Sequence, residues 1–177
     1  MVITDESIAQ VPIIESIVLS REYWKNLQRE HKDLLVSVKG KPIGTERIRA
    51  FDMNMRKQGD SLGAPGDNRV SIRDFDFPHI LIHNHADNSP ISPGDFESFI
   101  KRPNTLSLHA VGHNGSVSVL EKLPDYDAAG AIHKYIGLLN AISNSLKYGV
   151  SNAEISCIVE QFLYTLSENS FTYGRWK

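Results

Sequence analysis

The sequence predicts an α/β or α+β fold, a mixed sheet flanked by helices with an extra helical pair at the C-terminal end. Three observations carry this. A β-branched apolar run, Ile80-Leu81-Ile82, leads through a short loop into a helix start at Ser92-Pro93-Gly94-Asp95. Two further apolar runs flank Asn114-Gly115, the favoured pair for a tight hairpin turn. Segments of helical periodicity lie near both ends of the chain. Strands and helices in that order stack as layers around a shared core.

Taken from the N-terminus, residues 7–19 are apolar but interrupted by Pro12, which leaves strand and short helix both open. Ser20 suits a helix N-cap, and Tyr23, Trp24, Leu27, His31, Leu34 and Leu35 recur at helical spacing up to Val38, with Gly40 and Pro42 as the stop. Alternation in residues 43–52 predicts a strand starting near Glu46. Residues 54–68, rich in Gly, Asp, Lys, Ser and Pro, read as an exposed loop, with a short strand at Arg69-Val70-Ser71-Ile72. Residues 80–85 form the central strand. Ser92 then caps a helix that has Pro93 at its first position and ends at Pro103. The hairpin pairs 105–111 with 116–121. Helices follow from Ala128 to Lys147 and from Ser151, where Glu154 completes a capping box and Ile155, Ile158, Val159, Phe162 and Leu166 mark the buried side. The aromatic, basic end at 171–177 is expected to dock onto the body. These boundaries suggest a main domain at 1–125 and a helical extension at 126–177 packed on it.

The 177 residues suffice for one domain with a real core, and 41% hydrophobic and 23% charged residues are ordinary globular values. A net charge of −2 gives no general attraction to nucleic acid or anionic membrane. One cysteine, Cys157, rules out an intrachain disulfide and fits a reducing compartment; beside Ile158 it reads as a core residue. No apolar run reaches membrane-spanning length, and Met1 to Glu6 lack the basic flank and apolar core of a signal peptide. A cytoplasmic protein is the expectation.

The chemistry concentrates at residues 80–95. On a strand, His83 and His85 project to the same side, and Asp95 follows in the first turn of a helix. Two imidazoles and a carboxylate fit a zinc site that leaves one position for water. Each residue also has a plainer role, the histidines in the core and Ser92 and Asp95 as helix caps, and it is their combination that points to a metal. A hydrolytic site needs a base as well. Glu46, at the start of a strand that can pair beside the central one, is the candidate, although spacing alone does not separate it from Glu22 or Glu30, and Asp87 is a further carboxylate close by. His79 can share the face of His83 without being a ligand, His109 faces either site or core, and His113 in the hairpin turn is expected in solvent.

The pattern His83-Asn84-His85, six residues, Ser92, two residues, Asp95, with a glutamate upstream, resembles the JAMM signature of the JAB/MPN metallopeptidases. It is most similar to prokaryotic and phage-associated members and to the RadC-like branch, over roughly Leu34 to Glu121. Ala86 stands where the family usually has proline, and the interval from His85 to Ser92 is one residue shorter than in many members; no ligand is missing. The resemblance implies an MPN/cytidine-deaminase-like mixed sheet and Zn2+ on His83, His85 and Asp95. It implies Glu46 as general base, Ser92 as oxyanion donor, and cleavage of a peptide or isopeptide bond in a protein or peptide substrate, such as a ubiquitin-like or phage protein. A RadC-like or MPN scaffold, holding a metal without peptidase activity, is the alternative, and a metal-free core with incidental histidines a third. A homodimer through the C-terminal helices stays open.

Overall fold

The central strand β3 (His79–His85) forms because Ile80, Leu81 and Ile82 place branched apolar side chains on both of its faces, and all seven of its residues are buried. A computed structural model of the chain describes residues 2–166 and 171–177. Around β3 a six-stranded mixed sheet runs in the order β2 (Lys57–Leu62), β1 (Arg47–Asp52), β3, β4 (Thr105–Gly112), β5 (Val117–Lys122), β6 (Phe171–Trp176). β3 and β4 are parallel, and every other neighbouring pair is antiparallel. The expected mixed α/β architecture with helices on both sides is present.

Each face of the sheet has its own core. On one side α1 (Asp5–Ala9), the irregular segment after it and α2 (Trp24–Val38) pack Val11, Ile14, Leu27, Leu34 and Leu35 against Phe51, Ile80, Ile82, Val111 and Val119. On the other, α3 (Pro93–Lys101), α4 (Ala128–Lys147) and α5 (Asn152–Leu166) bring Phe96, Phe99, Tyr135, Leu138, Val159 and Leu163 onto Ile48, Leu81, Leu108, Leu120 and Phe171. Strand alternation assigns these sides: Leu81 and His83 face α3, whereas Ile80, Ile82 and Asn84 face the N-terminal layer. Residues 126–177 thus share a core with the rest, and their last segment joins the sheet as β6 beside β5.

Several expectations are corrected. Residues 54–68 are not all loop, because 57–62 form β2. Its polar composition suits an edge strand, where Asp60 pairs with Arg47 at 2.6 Å and with Arg49 at 3.4 Å across the ladder. Gly59 leaves room there for Ile72, whose Cδ1 would lie 2.7 Å from a Cβ at this position. Residues 69–72 are not a strand; Val70 and Ile72 lie on the sheet face and spend their apolar surface on the core. Ser20 makes no side-chain cap, and a 3₁₀ turn at Arg21–Tyr23 precedes α2. The open question at residues 7–19 resolves to the short helix α1, capped by a reciprocal Thr4–Ser7 pair, followed by irregular chain. Cys157 is exposed, not core, and Leu163 fills the buried position on α5 instead. On α4 the residues Ile132, Ile136 and Leu139 face outward, while Ala131, Tyr135 and Leu138 face the core. No helix among the described residues is long and apolar enough to cross a membrane.

Candidate metal centre

The site sits where the parallel β3–α3–β4 unit opens, at the carboxyl end of β3 and the amino end of α3. Such crevices are the usual ligand positions of sheets with parallel strands, because the strand ends there and the helix N-terminus offers its positive end. His83 and His85 reach this crevice from the same face of β3. α3 begins as its sequence dictates. Ser92 Oγ accepts the Asp95 N–H at 3.1 Å, the Asp95 carboxylate accepts the Ser92 N–H at 2.8 Å, and Pro93 fills the first helical position. The capping box therefore holds Asp95 facing the histidines.

Three donor atoms converge. His83 Nε2 and His85 Nε2 are 2.8 Å apart, and the two Asp95 oxygens lie 3.2 Å from His83 Nε2 and 3.1 Å from His85 Nε2. Among the described residues this is the one His/Cys/Asp/Glu group arranged to hold a metal ion. A tetrahedral ion with bonds of roughly 2.0–2.1 Å spaces its donors roughly 3.3 Å apart. Each imidazole nitrogen already lies near that spacing from one of the two Asp95 oxygens, and the two imidazoles need to open by about half an ångström to match. The donor set suits a divalent cation that accepts nitrogen and oxygen, and the imidazole pair favours a transition metal over magnesium or calcium.

Electrostatics tie the three side chains to one another. Burial alone would lower His85, but the hydrogen bond to Asp95 and the charges of Asp95 and Glu46 push it up to about 9. Burial works to raise Asp95, and His83 and His85 overcome it and hold the carboxyl well below its ordinary value. His85 is also fixed from behind. Its Nδ1 lies 3.0 Å from both the Ser89 carbonyl and the Ser89 hydroxyl, so Nδ1–H donates to the carbonyl and Nε2 is the nitrogen that faces Asp95 and the site. His83 Nδ1, by contrast, is buried without a partner.

Glu46 lines the same cavities as Asp95 and Ser92 and stands outside the three-donor group. Burial raises its carboxyl above the ordinary value, opposed by His85 and His83 and aided by Asp95 and Asp87. The Glu46 carboxylate thus faces the same cavities as the donors without being one of them. Glu46 lies just before β1, beyond the last ladder pair with β3, Ile48 with His83. There the side chain of Asn84 replaces the ladder. Its Oδ1 accepts the Arg47 N–H at 2.7 Å and its amide donates to the Thr45 carbonyl at 3.1 Å. The backbone on both sides of Glu46 is thereby clamped to the strand that carries both histidines.

Of the five residues singled out from the sequence, His83, His85 and Asp95 meet as a donor set, with Glu46 and Ser92 on the cavity beside them. The remaining histidines lie elsewhere. His79 bonds the Phe77 carbonyl and Thr105, and stacks edge-on to Phe75. His109 points to the opposite face, its ring 5.0 Å from that of His31 and its Nε2 2.7 Å from Ser107 Oγ. His113, expected in solvent, is buried with Nε2 3.2 Å from the Asn84 amide, because the hairpin turn folds back over the end of β3. Asn84 and Ser89 are supporting residues that the sequence reading missed. Alternation along β3 already placed Asn84 opposite the histidines, but only the fold brings Thr45, Arg47 and His113 to it. No family model, no curated protein and no solved structure matches the chain.

Proposed function

We propose that this chain is a zinc-dependent hydrolase that cleaves a peptide or isopeptide bond at the His83–His85–Asp95 group. The observation that carries the reading is the convergence of two imidazole nitrogens and a carboxylate within 3.2 Å, in a crevice that Glu46 also lines. Two histidines and one acid are a catalytic zinc donor set, with a position left for water or substrate. The resemblance of His83-Asn84-His85, Ser92 and Asp95 to the JAMM pattern supports the same class, and zinc is the metal that it implies. A bound zinc ion would supply the Lewis acid that activates water and polarises the scissile carbonyl.

The chain's own residues divide the remaining work. Glu46, its carboxyl raised above the ordinary value by burial, takes the proton from the attacking water and delivers it to the leaving amine. Ser92 accepts through Oγ as a helix cap, which leaves its O–H to donate to the carbonyl oxygen as charge develops there. Ser89 keeps the His85 ring oriented, and Asn84 keeps Glu46 within reach.

The test is metal analysis of purified protein together with digestion of a mixed peptide pool. Wild type is expected to bind about one zinc per chain and to cut; His83→Ala and Asp95→Ala are expected to lose both. Protein that neither carries zinc nor takes it up at neutral pH ends the hydrolase reading. Stoichiometric zinc with no cleavage moves the site to a binding or scaffold role.

A further inference from the structure

We infer that the substrate carries a large aliphatic or aromatic side chain beside the bond that is cut, seated in the apolar-floored cavity next to the metal group. This rests on the hydrolase reading and names a substrate class for it. A cavity of about 700 Å³ lies between the 63–72 loop and α3, and His83, Asp95, Glu46 and Ser92 line one end of it. That size falls within the ordinary range for ligand pockets. Its floor is Ile48, Leu81 and Leu108, one from each of three adjacent strands, all buried, and Val70 and Ile72 close it from the loop side. On the other side of the donor group a smaller cavity of about 400 Å³ is walled by Asp87, Ser89 and Asn68, with only Ile43 and Ala86 as apolar lining.

The two sides of the candidate metal are therefore unlike. An extended chain whose carbonyl lies at His83 and Asp95 must send its neighbouring atoms into one side or the other. A side chain entering the larger cavity buries its own apolar surface against the half-buried Val70 and Ile72 and the buried Leu81 and Leu108, a gain that glycine cannot make. The choice between a glycine-rich tail and an apolar residue at this position is thus decided by the floor, in favour of the apolar residue. Ser98 and Arg102 on α3 form the opposite wall, and Arg102 is engaged with the Ile72 and Arg73 carbonyls, so it steadies the loop and leaves the floor uncharged.

Two measurements test this. Glycine, leucine and phenylalanine hydroxamates are titrated calorimetrically into zinc-loaded protein. N-acetyl-leucinamide is followed by methyl NMR in the metal-free protein, which makes that arm independent of metal and of turnover. The leucine and phenylalanine compounds are expected to bind at least about 10-fold tighter than the glycine one. Ser98→Phe, which fills the cavity from the half-buried wall that α3 provides, should erase that advantage and leave glycine hydroxamate unchanged; Val70→Ser is the gentler second variant. N-acetyl-leucinamide should shift the methyls of Val70, Ile72, Leu81 and Leu108. Equal affinities, or methyl shifts elsewhere, overturn the proposal. Cleavage that prefers glycine overturns it while sparing the hydrolase reading. Side-chain preference with no cleavage of any peptide upholds the cavity and sinks the hydrolase.

Discussion

Removal of Asn84 should harm stability and catalysis through different atoms. In Asn84→Ala the Thr45 carbonyl loses its partner inside the protein, at a cost of about 1–3 kcal/mol for a buried orphan. The Arg47 N–H, in a part-buried hydrogen bond, also loses its acceptor, which adds about 1 kcal/mol. A total of about 2–4 kcal/mol in a chain of 177 residues corresponds to a melting point lower by roughly 5–15 °C. The amide orientation is fixed, because Arg47 N–H can only donate and the Thr45 carbonyl can only accept. Asn84→Asp keeps the acceptor for Arg47; as a carboxylate it loses the donor to Thr45 and faces that carbonyl oxygen with a second acceptor, so only the protonated carboxyl, whose O–H can donate to Thr45, should fall between wild type and alanine in stability. Catalysis responds separately. Glu46 is no longer clamped, and a base displaced by about 1 Å costs on the order of 100-fold in rate. The zinc donors are untouched, so metal content should stay at the wild-type value. Calorimetric melting, metal analysis and peptide turnover on one preparation check all three. A normal melting point with full turnover would refute the clamp, and lost zinc would show that Asn84 instead holds the donors.

Three further outcomes are expected. Glu46→Gln should retain zinc and lose about 10²–10⁴-fold in hydrolysis rate; retained turnover moves the base to another carboxylate. In metal-free protein His85 titrates at about 9, above its ordinary 6.5, so the His85–Asp95 pair stabilises fully below pH 6.5 and is lost as the pH rises toward 9. Urea midpoints measured with a chelator at pH 6 and pH 9 should drop accordingly, and a flat profile would remove the pair as a stabiliser. His31, pushed down to about 3 by burial and with both ring nitrogens unpartnered, contributes stability above pH 6.5 that is lost as the pH falls toward 3. His31→Phe should flatten part of this acid limb in the same assay, and an unchanged slope would place the acid sensitivity elsewhere.

The parts of the fold that were legible share a cause: their signal is local. Ser92-Pro93-Gly94-Asp95 carries its own capping chemistry, and Asn114-Gly115 its own turn geometry, with Gly115 at φ 85° and a Cβ there only 2.2 Å from the Ser7 carbonyl oxygen. The donor set was legible for the same reason, since alternation along β3 and one helical turn put His83, His85 and Asp95 together. What failed depends on long-range partners. β2 is polar and partly exposed, and it is a strand through its backbone ladder with β1, where Arg47 and Arg49 meet Asp60. β6 looks like a basic tail until its alternating Phe171 and Tyr173 find the open edge and core beside β5. On α4 the apolar residues exceed what one face can bury, so periodicity alone could not assign the inward side. Asn84 shows no chemistry in the sequence at all; its role exists only once residues 45 and 47 lie beside it.

The most direct test of a metal centre at the carboxyl end of β3 is a crystal structure of zinc-soaked protein with anomalous scattering collected at the zinc edge. One peak is expected within bonding distance of His83 Nε2, His85 Nε2 and an Asp95 oxygen, with the Glu46 carboxylate beside it and not bonded to it. No peak at these three donors, or a peak elsewhere on the chain, would contradict the account.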